Sequence, residues 1–413
     1  MNPAGIIVYG AHWCPDCRRS KQFLGEHQIP YAWIDIEEDK QAEQEVIAKN
    51  QGKRIIPTIV FQDGDFLVEP TNAQLAAKLG LKTRAGRHHY DLIVVGGGPA
   101  GLTAAIYTGR EAIDTLVIER AAFGGQAAGT EQLENMPGFP EGVAGIDFSQ
   151  RLRRQAERFG VELLQAQEVA SVFQKDNYHC VTTADGSQYS CKTLLITTGS
   201  RYKRLEVPGE SEYLGAGVHF CATCDGPFYK GKQVAVVGGG NSATEESLLL
   251  TKFADRVIIL VRNGAFKATR IIQNKVLTHP KIEVRWHTEV SAFSGVRGKL
   301  KELKIRNNQT QQTNVLPVDG AFIFIGLTPN TGFLKDSGIV LDSWGFIVTG
   351  PALKHGPPLS PQFNHRDPFL LETSIPGIFA AGDVRDASTK QVVSAAGEGG
   401  SAALEIREYL KRV

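Results

Sequence analysis

The chain has 413 residues, a formal net charge of +1 and 42% hydrophobic residues. The length predicts about two to three domains, and near-neutral charge without a basic patch or charged tail argues against a nucleic-acid partner. The N-terminus lacks the basic start and apolar core of a signal peptide, and no apolar run nears the ~20 residues that span a bilayer, so a cytoplasmic, non-membrane protein is expected.

Residues 1–82 read β-α-β-α-β-β-α. Strands fall at Ile6–Tyr9, Tyr31–Ile36 and Ile59–Phe61, with a turn at Asp63-Gly64; helices fall at Pro15–Glu26, Lys40–Asn50 and Asn72–Leu79. Cys14-Pro15-Asp16-Cys17 lies at the first strand-to-helix turn. The helix N-terminus and Arg18, Arg19 and Lys21 favour a thiolate there, which predicts Cys14 as an exposed nucleophile and Cys17 as the resolving thiol. Pro57, if cis, places backbone groups beside the cysteines for a substrate chain to pair with. The alternative reading of the pair is a metal clamp or a structural pair. Residues 83–89 are polar and patternless and read as a flexible linker, at most ~25 Å long when extended.

An α/β region begins at Asp91–Val95 and turns at Gly96-x-Gly98-x-x-Gly101 into a helix, Leu102–Arg110. The next strand, Thr115–Ile118, ends in Glu119, 18 residues after the last glycine. Such glycines let a backbone approach a pyrophosphate at a helix N-terminus, and the acid accepts hydrogen bonds from a ribose. A plain structural turn is the alternative. Cys180 and Cys191 flank Asp185-Gly186, a hairpin signal. A two-residue turn there sets the two cysteines opposite each other, within reach of a cross-strand disulfide; two small buried residues in a strand pair is the favoured reading.

Cys221-Ala-Thr-Cys224-Asp225 follows. Cysteines at this spacing close a small disulfide ring and reopen to a dithiol, and Asp225 can donate or accept the accompanying proton. A metal half-site needs two further ligands, and no second C-x-x-C or His pair lies nearby in sequence. Four of the six cysteines thus sit in two C-x-x-C pairs, which suits redox chemistry in a reducing compartment. A second dinucleotide-binding unit starts at Val234–Val237 and turns at Gly238-x-Gly240-x-x-Ala243. Its next strand, Val257–Val261, ends in Arg262 rather than an acid, with Lys267 and Arg270 close behind. Cations there pair with a 2′-phosphate, which favours NADPH over NADH; an exposed basic turn is the alternative. The tail holds Ile378-Phe379-Ala380-Ala381-Gly382-Asp383 and a long helix from about Ala395.

Residues 90–413 resemble the low-molecular-weight thioredoxin reductases. The matching motifs are Gly-Gly-Gly-Pro-Ala-Gly at 96–101, Gly-Gly-Gln at 124–126, Glu-Asn-Met-Pro-Gly at 134–138, Cys-Ala-Thr-Cys-Asp at 221–225, Gly-Gly-Gly-Asn-Ser-Ala at 238–243 and Ile-Pro-Gly-Ile-Phe-Ala-Ala-Gly-Asp-Val at 375–384. Residues 1–82 resemble glutaredoxins, most closely the mycoredoxin-like branch, through Trp-Cys-Pro-Asp-Cys at 13–17 and Ile-Pro-Thr at 56–58. The resemblance implies an α/β chain: a thioredoxin-like fold followed by two Rossmann-like domains, with the NADPH domain (207–328) inserted between two parts of the FAD domain (90–206 and 329–413). It implies FAD on Gly96, Gly98, Pro99, Ala100, Gly101, Glu119, Gly125, Gln126, Asn135, Gly382, Asp383 and Gln391. It implies NADPH on Gly238, Gly240, Asn241, Ser242, Ala243, Arg262 and Lys267, and a homodimer.

Three departures carry expectations. The family's NADPH site has two adjacent arginines and a third soon after; here Asn263 follows Arg262 and Lys267 takes the third place, which predicts a weaker preference for NADPH. His355–Pro368 inserts a proline-rich loop before the second FAD motif. Val68-Glu69-Pro70-Thr71 replaces the glycine pair and acid of many glutaredoxins, which argues against glutathione binding. The reading is a disulfide reductase passing electrons from NADPH through FAD and Cys221–Cys224 to Cys14–Cys17, then to a protein or low-molecular-weight thiol disulfide. Its rivals are a reductase serving a peroxiredoxin, of the alkyl hydroperoxide reductase type, and a low-turnover flavin-binding redox sensor.

Overall fold

The computed structural model describes residues 5–11, 13–27, 29–130, 132–296, 298–355, 363 and 366–412; the side chains of Arg18, Glu26, Thr223, Cys224 and His355 also fall outside the description. Most of the loop expected at His355–Pro368 therefore lies outside the described residues. Contacts divide the chain into two compact units. One comprises Met1–Gly129, Gly145–Gly199 and Pro329–Val413; the other comprises Thr130–Ala144 and Ser200–Thr328.

The N-terminal part follows the expected order: β1 (Ile7–Gly10), α1 (Pro15–Glu26), β2 (Ala32–Asp35), α2 (Lys40–Lys49), β3 (Thr58–Val60), β4 (Phe66–Val68) and α3 (Asn72–Lys78). The strands run β2-β1-β3-β4, with β1 parallel to β2 and the other pairs antiparallel. Side chains alternate along β1, so its two faces cover different helices. Val8 meets Phe23 and Leu24 of α1 and Leu75 of α3, while Tyr9 meets Ala42 and Val46 of α2.

The next part contains β5 (His89–Val95), α4 (Pro99–Arg110), β6 (Thr115–Ile118), α5 (Gly125–Ala128), α6 (Gly145–Arg158), β7 (Glu162–Leu164), β8 (Val169–Lys175), β9 (Tyr178–Thr183) and β10 (Gln188–Ile196). Its sheet runs β7-β6-β5-β10-β9-β8. β5 carries Leu92 and Val94 to one face and Ile93 and Val95 to the other, each face meeting its own apolar core.

The second unit holds β11 (Ser200–Tyr202), β12 (Val218–His219), α7 (Ala222–Asp225), β13 (Gln233–Val237), α8 (Asn241–Leu250), β14 (Arg256–Leu260), α9 (Arg270–Leu277), β15 (Ile282–Arg285), β16 (Thr288–Val296), β17 (Lys299–Asn307), β18 (Thr313–Pro317), β19 (Gly320–Ile323) and β20 (Leu327–Pro329). Its parallel sheet runs β12-β19-β13-β14-β15, beside an antiparallel sheet β16-β17-β18. The chain then returns to the first unit through β21 (Ile378–Ala380), which pairs parallel with β10, and α10 (Val392–Leu410).

Two expectations fail for local reasons. The hairpin at Asp185-Gly186 has a longer turn than two residues: Gly186 N–H donates to Thr183 O and Thr183 N–H to Ser187 O, both at 2.9 Å, with Gly186 at φ 84°. Cys180 therefore pairs with Ser190, and Cys191 with His179. A shift of one residue moves a side chain to the opposite face, so the two cysteines do not face each other. Both are free and buried, as the favoured reading had it.

The second concerns residues 83–89, which are tied down rather than flexible. Gln165 N–H donates to Lys82 O (3.0 Å), Ala85 N–H to Tyr189 Oη (3.3 Å), Gly86 N–H to Glu162 Oε1 (2.8 Å) and Ser190 N–H to His88 O (2.8 Å). Tyr90 Oη donates to Glu162 Oε2 (2.6 Å), Lys82 Nζ stands 2.7 Å from Glu162 Oε1, and Arg87 pairs with Asp114 at 2.6 Å. Gln165 Nε2 also donates to His27 Nδ1 at 3.2 Å, both residues being buried, and Ala166 packs on the N-terminal core. The backbone polar groups of this stretch pair with the neighbouring sheet instead of with water.

Burial raises the Glu162 pKa, but the hydrogen bonds from Lys82, Tyr90 and Gly86 outweigh it and hold the carboxyl below its usual range. A lowered folded pKa stabilises above the ordinary glutamate value of about 4.3 and is lost as pH falls through the folded value. Glu162→Gln should therefore speed amide exchange across residues 82–88 by about tenfold at neutral pH. Wild type should approach the same rate only in acid. Hydrogen-exchange mass spectrometry reads both; unchanged exchange in the variant would refute the anchoring role.

Candidate active site

Each nucleotide turn is built from close backbone approach. At the first, Gly96 has φ 107°, and a Cβ on Gly101 would sit 2.0 Å from Gly96 O. Thr197 Oγ1 donates to Gly96 O at 2.7 Å. Gly98 caps α4, Pro99 opens it, and the space over Gly98 is open. Glu119 accepts Gly97 N–H (2.7 Å) and Ala121 N–H (2.8 Å); burial raises its pKa while these amides oppose the rise. Gly124 N–H donates to Gly97 O at 2.7 Å, so the Gly124-Gly125 turn lies against the glycine loop, with Gln126 exposed beside it.

The C-terminal return completes this site. A Cβ on Gly399 of α10 would lie 2.1 Å from Ala100 O of α4, so the two helices touch backbone to backbone. The turn before α10 carries Gly382, whose N–H donates to Glu398 Oε2 at 2.7 Å, and Asp383. Asp383 Oδ1 is buried with no hydrogen-bond partner, and burial raises the carboxyl's pKa. Lys390 Nζ is spent on Asp383 O (3.0 Å) and Arg385 O (3.1 Å). Gln391 is the N-cap of α10. An orphaned buried acceptor beside a helix N-terminus and an open glycine loop fits a dinucleotide with donor hydroxyls. Asn135 sits on an exposed turn of the second unit.

The second turn repeats the plan. A Cβ on Gly238 would meet Phe324 O at 2.3 Å, and Gly240 is open. Asn241 Oδ1 accepts Thr269 N–H (2.9 Å), and Lys267 N–H donates to Gly239 O (2.7 Å). These bonds hold the basic loop beside the glycines. Asn308 Nδ2 donates to Arg262 O at 2.7 Å, and Arg262, Lys267 and Arg270 are exposed. Ser242 is exposed on the first turn of α8 and Ala243 is buried beneath it.

In the same unit Cys221 is disulfide-bonded, which removes the thiolate a metal half-site would need. Asp225 N–H donates to Cys221 O at 3.1 Å, closing the turn. Sequence reasoning missed the residues around it. His219 is buried, with Nδ1 3.3 Å from Asp225 Oδ2 and Nε2 2.7 Å from Tyr229 Oη. Glu246 of α8 accepts Ala222 N–H, keeps Oε2 buried without a partner, and has its pKa raised by burial. The available signal for His219 was a histidine two residues before a redox cysteine.

The N-terminal pair is arranged differently. Cys14 caps α1: its Sγ accepts Cys17 N–H at 3.3 Å and donates to Ile56 O at 3.8 Å. This inward turn leaves Cys14 5% exposed and Cys17 0%, which corrects the expectation of an exposed Cys14. The exposed group is Trp13, at 57%. Burial, with the hydrogen bond to Cys14, pushes the Cys17 thiol up to about 12. The Ile56–Pro57 peptide is cis. Arg19 pairs with Asp16 and donates to Pro70 O (3.0 Å), and Lys21 Nζ lies 4.0 Å from the centre of the Trp33 ring. Neither cation contacts Cys14, and the Arg18 side chain lies outside the described residues. Thr71 and Gln74 form a capping box that occupies amides at the start of α3.

Residues 90–399 match the family model for pyridine nucleotide-disulphide oxidoreductases, and residues 6–67 match that for glutaredoxins. The chain belongs to the pyridine nucleotide-disulphide oxidoreductase family, with a glutaredoxin domain at its N-terminus. It is 38% identical to the thioredoxin reductase of Treponema pallidum, over 78% of this chain and 97% of that one. The crystal structure of thioredoxin reductase from Streptococcus pyogenes superposes with TM-score 0.70 at 35% identity, covering 79% of this chain and 99% of that chain. Thioredoxin reductase from Giardia duodenalis gives TM-score 0.70 at 32% identity, covering 79% and 100%. The fold is the expected α/β one, and the chain is an enzyme of thioredoxin reductase type, a family that depends on FAD and NADPH. Among the described residues no helix is long and apolar enough to cross a membrane.

Asp383→Ala should weaken FAD binding to the apoprotein by about 10- to 100-fold, the range of one hydrogen bond to a charged group. Flavin fluorescence titration measures it, and wild-type affinity in the variant would remove Asp383 from the site.

Proposed function

We propose that this chain is a disulfide reductase that delivers NADPH-derived electrons through its own glutaredoxin domain. The observation that carries the reading is one chain with two C-x-x-C turns in opposite states: Cys221 is disulfide-bonded next to a nucleotide turn, while Cys14 and Cys17 are free thiols. FAD on the first glycine turn and NADPH on the second supply hydride and two-electron chemistry when bound. We assign FAD to Gly96, Gly98–Gly101, Glu119, Gly125, Gln126, Asn135, Gly382, Asp383 and Gln391. NADPH is assigned to Gly238, Gly240–Ala243, Arg262 and Lys267. The FAD domain is taken as 90–206 and 329–413, with the NADPH domain, 207–328, rotating on its two connections. The active form is taken as a cytoplasmic homodimer.

The chain's own residues then exchange bonds. A thiolate of the Cys221–Cys224 dithiol attacks the oxidised Cys14–Cys17 disulfide and forms a mixed disulfide. The partner thiol resolves it, so one S–S bond forms as one breaks and two electrons move. Asp225 takes up a proton released in this exchange. Reduced Cys14 repeats the step on an outside disulfide, with Cys17 resolving. Cys14 is the attacking sulfur because it is the more exposed of the pair and already accepts an amide hydrogen bond, whereas Cys17 is held as a thiol. The occupied amides at the start of α3 favour a protein or other thiol disulfide over one containing glutathione.

Cys221→Ser or Cys224→Ser should abolish NADPH-driven reduction of Cys14–Cys17 and leave flavin bleaching by NADPH intact. Cys17→Ser should trap a mixed disulfide with the acceptor, which mass spectrometry identifies. Normal delivery to the acceptor by Cys14→Ser protein would refute the relay and make the N-terminal domain a docking module. The nucleotide choice is tested separately. Arg262→Ala and Lys267→Ala should each lower kcat/KM for NADPH by about tenfold and leave NADH little changed. Equal losses with both nucleotides would show that neither cation reads the 2′-phosphate.

A further inference from the structure

Behind the Cys221 turn lies a chain of three polar side chains, His219 and Tyr229 buried and Asp225 half-buried. His219 leaves β12 two residues before Cys221, and Asp225 directly follows Cys224. The imidazole stands between Asp225 Oδ2 (3.3 Å from Nδ1) and Tyr229 Oη (2.7 Å from Nε2). A carboxylate only accepts, so the Nδ1 facing it carries a proton, and a bare Nε2 accepts from the Tyr229 hydroxyl. Burial, then Asp225 and Asp319, raise the Tyr229 pKa, which keeps the phenol a donor.

Packing fixes each member. The imidazole stacks on Phe322 with ring centres 5.2 Å apart. Tyr229 lies flat on Gly320, where a Cβ would meet its Cε1 at 2.3 Å. The other titratable groups facing this chain are Asp319 ahead of β19, Lys232, whose Nζ is 5.3 Å from the Tyr229 ring centre, and Glu246 of α8, which binds Ala222 N–H. Among the described residues none of these groups is hydrogen-bonded to Asp225, and the His219 imidazole, with Nδ1 3.3 Å from Oδ2, is the ring nitrogen set against its carboxylate.

We propose that His219 is a positioning residue for the redox turn: its Nδ1–H, oriented by Tyr229, fixes the Asp225 carboxylate as the proton acceptor for the Cys221–Cys224 dithiol. The inference rests on the function proposed for that pair. When the dithiol reduces an outside disulfide R–S–S–R, the Cys221–Cys224 S–S bond forms, the S–S bond of the outside disulfide breaks, and two RS⁻ thiolates and two protons leave. Asp225 receives one of those protons. Without its donor the carboxylate holds a proton to higher pH, because hydrogen bonds to the charged form favour that form. It then fails as a base at higher pH than in wild type.

The test needs no bound nucleotide. Full-length protein carrying Cys14→Ser and Cys17→Ser is reduced, desalted and mixed with the aromatic disulfide dithiobis(nitrobenzoic acid), and the rate is followed across pH. His219→Asn places an amide where Nδ1 stood and should keep rate and profile. His219→Gln places its amide where Nε2 stood; it reaches Tyr229 but not Asp225. It should slow the reaction by about 10- to 100-fold and move the acid limb to higher pH. Tyr229→Phe should give a smaller loss with the same direction of shift. Equal effects of His219→Asn and His219→Gln, or an unmoved acid limb in the Gln variant, would overturn the inference. A parent protein whose Cys221–Cys224 disulfide is not opened by NADPH would instead overturn the function itself.

Discussion

The contact between Ala100 and Gly399 is the constraint on which the first unit's site depends. These residues lie far apart in sequence, yet a Cβ at Gly399 would come within 2.1 Å of the Ala100 carbonyl oxygen. No other residue permits that approach without moving α10. Because α4 and α10 meet there, the Gly96–Gly101 loop and the Asp383 turn share one site. β21, paired with β10 beside β5, sets the height of that turn. An orphaned buried acceptor such as Asp383 Oδ1 fits a site that a ligand completes. Gly399 and a parallel strand thus bring together parts of the first unit that the second unit separates in sequence.

The two nucleotide turns show how one backbone solution is given two chemistries. In both, a strand, an open middle glycine and a helix N-terminus offer amides to a pyrophosphate. They differ one strand later. Glu119 is buried and binds the amides of Gly97 and Ala121, which stiffens the loop as well as presenting an acceptor. Arg262 is exposed, and its carbonyl accepts Asn308 Nδ2–H at 2.7 Å. The charge proposed to discriminate between nucleotides therefore sits on an exposed side chain.

Much of this was legible in the sequence because it is written in short range. Element order in residues 5–82, both glycine turns and both cysteine pairs follow from spacing and alternation. What failed depended on contacts between distant residues. The Cys180–Cys191 pairing turned on one extra residue in the turn around Gly186, which periodicity does not register. The linker looked free because its residues are polar, but Glu162, Asp114 and Gln165 supply the partners. Cys14 looked exposed because it begins a helix, yet the cap it forms draws its sulfur inward. His219 was missed because its partners, Asp225 and Tyr229, come from the turn that follows.

The anchored segment changes how a fused redox domain should be understood. A flexible tether raises local concentration by letting a domain search the volume within reach. Residues 82–90 are bound along most of their length, and His27 and Ala166 join the domain to the body that carries the first nucleotide turn. The domain is thus held by the C-terminal end of α1, while Cys14 sits at the other end of that 12-residue helix, about 18 Å away. Docking by the rear keeps the dithiol end clear of its own attachment. In the proposed relay the search is then made by the unit that carries Cys221, turning on its connections, and not by the glutaredoxin domain. The fusion supplies orientation more than proximity: it presents one fixed face, marked by Trp13 and Cys14, to whichever disulfide approaches it.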